Sequence, residues 1–298
     1  MYIDKNGDRW YRGNLHTHTT ISDGRKSPEE VKARYRDMGY DFIALTDHWK
    51  YGEGCECDPS GLLVISGCEY NFGKIFDAEK GIFHILGLLT EKSPDISLAD
   101  TPQAAIDKIN EAGGLAVLAH PAWSHNTTEL YLSLNGYWGT EIYNSVSGIP
   151  FNCRPYSGIV IDEGAVRGRY PALIADDDAH FYRGEDGMSY VMVNLGDKPL
   201  NTENLKSALI AGDFIATQGP FFTIGVEGRE AVLRSETPLS NVVFFTNAAF
   251  AWDTCTVADG EPIYEARFDI KDEYTFVRAE CTDVNGKVGF SKIIPLKK

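Results

Sequence analysis

The chain of 298 residues is 43% hydrophobic, which is enough for a large core, and its length is near that at which single cores divide. Its formal net charge of -15 argues against a nucleic acid or an anionic membrane as a partner, because a polyanion would be repelled. No apolar run approaches the roughly 18 residues of a membrane-spanning helix. The N-terminal sequence MYIDKN lacks the apolar stretch of a signal peptide, and the six cysteines are scattered, so we expect a cytoplasmic protein with reduced thiols.

Apolar runs alternate with amphipathic segments through the first two-thirds of the chain, which predicts βα units and a mostly parallel sheet. The predicted strands are 13–16, 42–46, 62–68, 83–88, 115–119, 139–143 and 172–175. Helix signals lie between them. Ser27, Pro28 and Glu30 supply an N-cap, a first-turn proline and a capping-box glutamate, and Thr101 before Pro102 begins a second helix.

The pattern changes to short strands separated by turn residues from about residue 213. The predicted strands of this tail are 221–226, 242–246, 264–270, 275–281 and 288–294. Asn285 and Gly286 form a strong hairpin signal. A predicted helix over 202–211, followed by Gly212, marks the boundary. We therefore predict one domain of residues 1–212 and a small β-sandwich domain of residues 213–298.

Most of the seven histidines lie at or just after the C-terminal ends of predicted strands, whereas His84 lies within a strand and His125 falls outside the pattern. Two carboxylates, Glu69 and Asp178, follow strands in the same way. The histidines that do so are His16, His18, His48, His120 and His180. In a (β/α) barrel these strand ends surround one opening, where the active sites of such barrels are built.

Residues two apart in an extended segment point the same way, so His16 and His18 can meet one ion. The same argument makes Asp178 and His180 the better pair after strand 172–175, with Asp176 as the alternative ligand. Histidine and carboxylate ligands without thiolates favour zinc, manganese or iron over Cu(I) or an iron–sulfur cluster.

An ordered series of motifs between residues 10 and 200 resembles those of the PHP (polymerase and histidinol phosphatase) family. The segments that carry the resemblance are His16-Thr17-His18-Thr19, Ser22-Asp23-Gly24, Thr46-Asp47-His48, Gly67-Cys68-Glu69, His84, Gly113-Gly114, Ala119-His120-Pro121 and Asp178-Ala179-His180. The resemblance implies an α/β protein with a distorted (β/α)7 TIM-like barrel. The tail is similar to the β-sandwich that follows the barrel in the carbaryl-hydrolase-like branch of this family.

The resemblance also implies two or three divalent metal ions, with zinc, manganese or iron as candidates. One ion would be held by His16, His18, Glu69 and Asp178. A second would be held by Glu69, His84 and His120, with Glu69 bridging, and a third by Asp23, His48 and His180.

The function that follows is that of a metal-dependent phosphoesterase (EC 3.1), which hydrolyses a small phosphorylated metabolite or nucleotide with a metal-bridging hydroxide. Glu69, Asp178 and His180 are the expected catalytic residues. Lys50, Asn144, Arg154 and Arg183 are candidates for substrate contacts, although solvated surface charge is the alternative for the three basic residues.

Three other functions stay open at this point. The same cluster could hydrolyse a carboxylic ester or carbamate, because Lewis acids and hydroxide act on carbonyl groups as well. A non-catalytic metal- or carbohydrate-binding module would require a closed metal site. A polymerase-associated exonuclease fits less well, because the chain has no basic groove signature. Since every proposed ligand precedes residue 181, we predict that the tail takes no part in the chemical step.

Overall fold

A computed structural model describes residues 1–56 and 58–296. The strands are β1 Tyr2–Ile3, β2 Arg9–Asn14, β3 Phe42–Ala44, β4 Leu63–Ile65, β5 Gly67–Phe72, β6 Phe83–Leu88, β7 Leu115–Leu118, β8 Gly139–Asn144, β9 Ala172–Asp176, β10 Tyr190–Gly196, β11 Phe214–Thr217, β12 Phe222–Glu227, β13 Glu230–Phe245, β14 Cys255–Val257, β15 Ile263–Asp269, β16 Phe276–Asp283, β17 Val288–Phe290 and β18 Ile294–Pro295. The helices are α1 Pro28–Asp37, α2 Pro102–Glu111, α3 Thr128–Ser133, α4 Gly158–Val166 and α5 Thr202–Ala211, with a 3-10 turn at Ala78–Lys80. Among the described residues, no helix is long and apolar enough to cross a membrane.

The strands form two sheets. The larger has 13 strands, with β12-β13-β16-β17-β11-β10-β2-β3-β4 as its main order, and the smaller has the order β5-β6-β7-β8-β9. Pairing is parallel from β2 to β4 and from β7 to β9, but β5 and β6 run antiparallel to their neighbours. The predicted α/β class is confirmed as a mixed α/β fold with a large sheet. In the described residues no continuous ladder closes a barrel, so the barrel stays a prediction.

The predicted strand 62–68 was wrong, because the structure divides it between the two sheets. β4 pairs with β3 in the large sheet, whereas β5 pairs with β6 in the small one. Gly67 lies at the change of sheet. A Cβ atom there would lie 3.0 Å from Thr46 Cγ2 and 3.1 Å from the Leu45 carbonyl oxygen, so the chain passes its neighbour more closely than a larger residue allows. As a result Glu69 lies inside β5 and not after a strand.

The ends of the two sheets meet at the segments that follow β2, β3 and β9. Isolated bridges join Thr17 to Ala179 and His48 to Glu69. Behind these ends, apolar side chains of both sheets form one cluster, which includes the fully buried Phe42, Leu86, Val117 and Ile174. Burial of this apolar core fixes the sheets against each other and brings their carboxyl ends to one place.

The helix signals read from the sequence are confirmed. Ser27 and Glu30 form the capping box at the start of α1, and Thr101 caps α2 by accepting from the Ala104 N–H. Gly212 ends α5 with a left-handed φ of 73°, which glycine adopts without a Cβ penalty.

The tail is tied to the rest of the chain by both backbone pairing and a buried ion pair. β11 pairs with β10 on one edge and with β17 on the other, so one sheet runs through both parts of the chain. The fully buried Arg278 donates to both carboxylate oxygens of Asp162 in α4, at 2.6 Å each. Truncation at residue 213 would therefore leave Asp162 without its partner and the edge of β10 unpaired.

Candidate metal centre

Four buried side chains meet at one place. His16 and His18 follow β2, Glu69 lies within β5 and Asp178 follows β9. The Nε2 atoms of His16 and His18 lie 3.1 Å apart. Glu69 Oε2 lies 3.1 Å from the first and 3.0 Å from the second, and Asp178 Oδ1 lies 3.1 Å from each. Two nitrogens and two oxygens therefore surround a common point.

The chemistry and spacing of this group fit a divalent cation. Ligands at about 2.0–2.1 Å from a tetrahedral ion lie roughly 3.3 Å from one another, close to the separations found here. Asp178 Oδ1 is also buried and accepts no hydrogen bond within the protein. A buried carboxylate oxygen without a donor is costly unless a cation or proton neutralises it.

Glu69 faces a second group of histidines with its other oxygen. Glu69 Oε1 lies 2.7 Å from His84 Nδ1 and 3.4 Å from His120 Nε2. His48 Nδ1 lies 3.2 Å from Glu69 Oε2, the oxygen that also faces His16 and His18. The carboxylate is 1% exposed, so its two oxygens are held between these two sets of rings.

The residues predicted as metal ligands together form one cluster of histidines and carboxylates. A third group lies where this cluster opens to solvent. Asp23 has a 55% exposed side chain, and its oxygens lie 3.5 Å from His180 Nε2 and 3.8 Å from His48 Nε2. Asp47 holds the loop that carries Asp23, because its carboxylate accepts hydrogen bonds from Thr19 and from Ser22. The structure thus brings together every residue predicted as a ligand, and their binding of metal stays a prediction.

The cluster attracts positive charge. Burial opposes the charged form of His18, but the adjacent carboxylates of Asp178 and Glu69 outweigh it and raise its pKa to about 9. Burial likewise opposes ionisation of Glu69 and Asp178, but the nearby histidines hold both pKa values well below the usual range. Protons and metal cations would therefore compete for the same atoms.

Glu141 is a buried residue in contact with the predicted ligands that the sequence reasoning did not identify. Its Oε1 lies 2.6 Å from His16 Nδ1, and its Oε2 accepts from the His120 backbone N–H at 2.8 Å. A carboxylate on the far nitrogen of a ligand histidine fixes the tautomer and orientation of the ring. The signal was available, since Glu141 is a charged residue within an otherwise buried strand.

Asp176, the alternative ligand, does not belong to the four-atom group and instead forms a separate buried set with His16 and Glu141. Neither of its oxygens has a hydrogen-bond partner within the described protein. Burial and the charge of Glu141 raise the pKa of Asp176 well above its usual range.

The backbone at two of the predicted ligands is left-handed, with φ of 49° at Asp178 and 28° at His120. Such conformations are rare for residues other than glycine and persist where surrounding contacts hold them. The Asp178 N–H donates to the His16 carbonyl oxygen at 2.9 Å, and the His120 N–H donates to Glu141. The strained backbone directs both side chains into the cluster.

The predicted substrate contacts divide into two kinds. Asn144 is buried, and its Nδ2 donates to Glu141 Oε2 at 2.7 Å and to Asp178 Oδ2 at 3.1 Å, so it positions the cluster. Lys50, Arg154 and Arg183 are exposed and do not line the cavity beside the cluster. Their contact with substrate stays a prediction without support from their positions.

A cavity of about 500 Å³ adjoins the cluster. Its walls combine cluster residues and neutral polar side chains with the apolar side chains of Ile75, Ile82, Trp123, Val146, Phe151 and Phe181. No lysine or arginine belongs to this lining within the described residues. Positive charge for an anionic substrate would have to come from bound cations or from protonated histidines of the cluster.

Glu141→Gln is expected to lower the affinity for metal about 10- to 100-fold while leaving the ligands in place, the usual effect of losing such a partner. The amide cannot accept the His16 N–H and the His120 N–H as strongly as the carboxylate does. Competition with a coloured chelator measures the affinity. Unchanged affinity would show that Glu141 does not orient His16.

The structure is that of a mixed α/β protein with a buried group of histidines and carboxylates near its strand ends. No known family model matches the sequence. An uncharacterized protein of Methanocaldococcus jannaschii is 29% identical over 121 residues, which cover 37% of this chain and 67% of that protein.

Among solved structures, the fold is similar to that of a two-domain protein from Bacteroides vulgatus that contains a predicted PHP-like metal-dependent phosphoesterase. The TM-score is 0.55 at 15% identity, and the match covers 98% of this chain and 97% of that one. The expected resemblance to a PHP protein with an additional C-terminal domain is thereby confirmed for the fold. A putative metal-dependent phosphoesterase from Bifidobacterium adolescentis matches 66% of this chain and 95% of its own, with a TM-score of 0.44 at 14% identity, which is too low to support an argument.

Proposed function

We propose that the protein is a metal-dependent phosphoesterase whose substrate is a small phosphate ester. The observation that carries this proposal is the convergence of His16, His18, Glu69 and Asp178 at separations of 3.0–3.1 Å. The similar fold of the Bacteroides vulgatus protein, which contains a predicted PHP-like metal-dependent phosphoesterase, supports it.

The residues would hold two or three divalent ions, with zinc, manganese or iron favoured by the ligand types. When bound, such ions activate water near neutral pH and neutralise charge on phosphoryl oxygens. Glu69 directs one oxygen towards His16 and His18 and the other towards His84, so it is the residue suited to join two sites. Asn144 and Glu141 hold these ligands in place.

The finer architecture belongs to the same proposal. Residues 1–212 would form a distorted (β/α)7 barrel and residues 213–298 a β-sandwich domain. The bridges Thr17 to Ala179 and His48 to Glu69 support the barrel, because they join the two sheets at two places.

Hydrolysis of a carboxylic ester or carbamate is the second candidate. The apolar wall of the cavity and its lack of lysine and arginine favour this candidate, because an uncharged carbonyl substrate requires no basic side chain.

A panel with one shared leaving group separates the two candidates. We expect the isolated protein to contain more than one equivalent of transition metal and to cleave p-nitrophenyl phosphate or its bis-ester faster than p-nitrophenyl acetate. Elemental analysis and release of p-nitrophenol measure these properties. Faster cleavage of the acetate would favour the carbonyl substrate.

Two histidine variants provide the control for this panel. His16→Ala should remove metal and activity together, whereas the exposed His125, which lies outside the cluster, should tolerate the same change. Protein that lacks metal as isolated and gains no hydrolysis with added Mn or Zn would contradict the proposed function.

A further inference from the structure

Aromatic side chains flank the cluster from separate segments of the chain. The Trp123 ring lies 4.9 Å from the ring of His120 and 5.6 Å from that of His84. On the segment beyond His180, Phe181 stacks on Phe151 with ring centroids 4.5 Å apart and an interplanar angle of 17°. All three aromatic residues line the one cavity beside the cluster.

These rings are only partly buried, although they are large and apolar. Trp123, Phe151 and Phe181 each retain exposed surface, and all three line the cavity. Exposed aromatic surface within a concave site is typical of a pocket that binds a flat or apolar ligand.

The polar groups of the same cavity point to an uncharged ligand beyond the reacting group. Outside the cluster, its polar side chains are those of Asn71, Ser147 and Asn152, all of them neutral. The wall has no lysine or arginine among the described residues, and the chain carries a formal charge of -15. A second anionic group on the substrate would therefore be desolvated without a partner.

We propose that the organic part of the substrate is an uncharged aromatic or bulky apolar group, which lies against Trp123 and the stacked Phe151 and Phe181 while the phosphoryl group faces the cluster. This inference rests on the proposed phosphoesterase function and narrows it. The same argument disfavours nucleotides with more than one phosphate and sugar phosphates with a second acidic group.

The expected size of the preference for an aryl ligand follows from the apolar surface area that its ring would bury. Burial of a phenyl ring against apolar walls, at about 25 cal/mol per Å² plus contacts between aromatic rings, should favour an aryl ligand about tenfold or more over a methyl ligand. A preference of this kind belongs to binding and can be measured without turnover.

Calorimetry on the full-length, metal-loaded protein tests the preference with three non-hydrolysable probes. Phenylphosphonate is expected to bind about tenfold or more tightly than methylphosphonate, and phosphonoacetate, which carries a carboxylate in addition to its phosphonate, no more tightly than methylphosphonate. Since none of the three has a leaving group, differences in chemical reactivity do not enter the comparison.

Variants of the cavity residues show which side chains produce the preference for the phenyl probe. Trp123→Ala and Phe181→Ala should each reduce the ratio of the phenylphosphonate and methylphosphonate affinities severalfold, and Trp123→Phe should retain most of it. Trp252→Ala is the matched control, because Trp252 is 75% exposed in the tail and does not line the cavity. Metal content is measured for every variant, so that loss of a cation is distinguished from loss of an apolar contact.

The outcomes separate this inference from the function on which it rests. Equal affinity for the phenyl and methyl probes, or a preference that persists in both alanine variants, would overturn the inference and leave the phosphoesterase proposal standing. Failure of all three phosphonates to bind the metal-loaded protein would overturn the phosphoesterase proposal and the inference together.

Discussion

Glu69→Gln is expected to lower kcat by several orders of magnitude and to reduce the metal bound per chain. Glu69 Oε2 lies 3.1 Å from His16 Nε2, while Oε1 lies 2.7 Å from His84 Nδ1, so one side chain serves both groups. Two divalent ions in such sites stand roughly 3.5–4 Å apart and repel each other strongly. The amide retains the shape but not the negative charge that offsets this repulsion.

Elemental analysis and steady-state kinetics measure the two effects, and thermal unfolding shows whether the variant is folded. Glu261→Gln is the matched control, since Glu261 is exposed in the tail and carries the same functional group. The third group, which contains Asp23, His48 and His180, should still bind metal. Near-normal kcat with unchanged metal content would rule out the bridging role.

The sequence was informative where a local rule determines the structure. Ser27 and Glu30 specify a capping box within four residues, and Gly212 ends α5 through its own conformational freedom. The grouping of His16 with His18 needed only the two-residue repeat of an extended chain. These features depend on neighbours in sequence, so they could be predicted before any tertiary contact was known.

The features that could not be predicted depend on partners distant in sequence. Nothing local in 62–68 shows that β4 and β5 join different sheets, because that choice depends on the pairing of β3 and β6. β10 was missed although it lies between β2 and β11 at the centre of the large sheet. Pairing across such separations is set by burial of whole faces, which a short window does not contain.

The residues around the cavity also differ in how far they could be predicted from the sequence. Most of the residues predicted as metal ligands follow strands, so their order along the chain indicated their meeting place. Trp123, Phe151 and Phe181 lie in irregular segments, where residue type predicts neither direction nor neighbour. The residues that would select a substrate were therefore less predictable than those that would perform the chemistry.

Asp178→Asn is expected to abolish binding at the first metal site, with a loss of affinity above about 100-fold, since even partners that only orient ligands cost 10–100-fold. Asp178 Oδ2 accepts from Asn144 Nδ2 at 3.1 Å, and Oδ1 faces the Nε2 atoms of His16 and His18. An introduced amide would keep its oxygen towards the Asn144 donor. Its NH2 group would then point at the two histidines, and an amide nitrogen with its protons cannot serve as a ligand.

The measurement is metal affinity by chelator competition, together with kcat at saturating metal. Asp100→Asn makes the same chemical change at a surface carboxylate that pairs with Lys108, and surface ion pairs contribute little to stability, so this control should have little effect. Asp178→Ala provides a second arm. It removes the ligand without introducing a donor, so added Mn or Zn should restore more metal binding in Asp178→Ala than in Asp178→Asn. Wild-type affinity in Asp178→Asn would show that the oxygen between His16 and His18 is not a ligand.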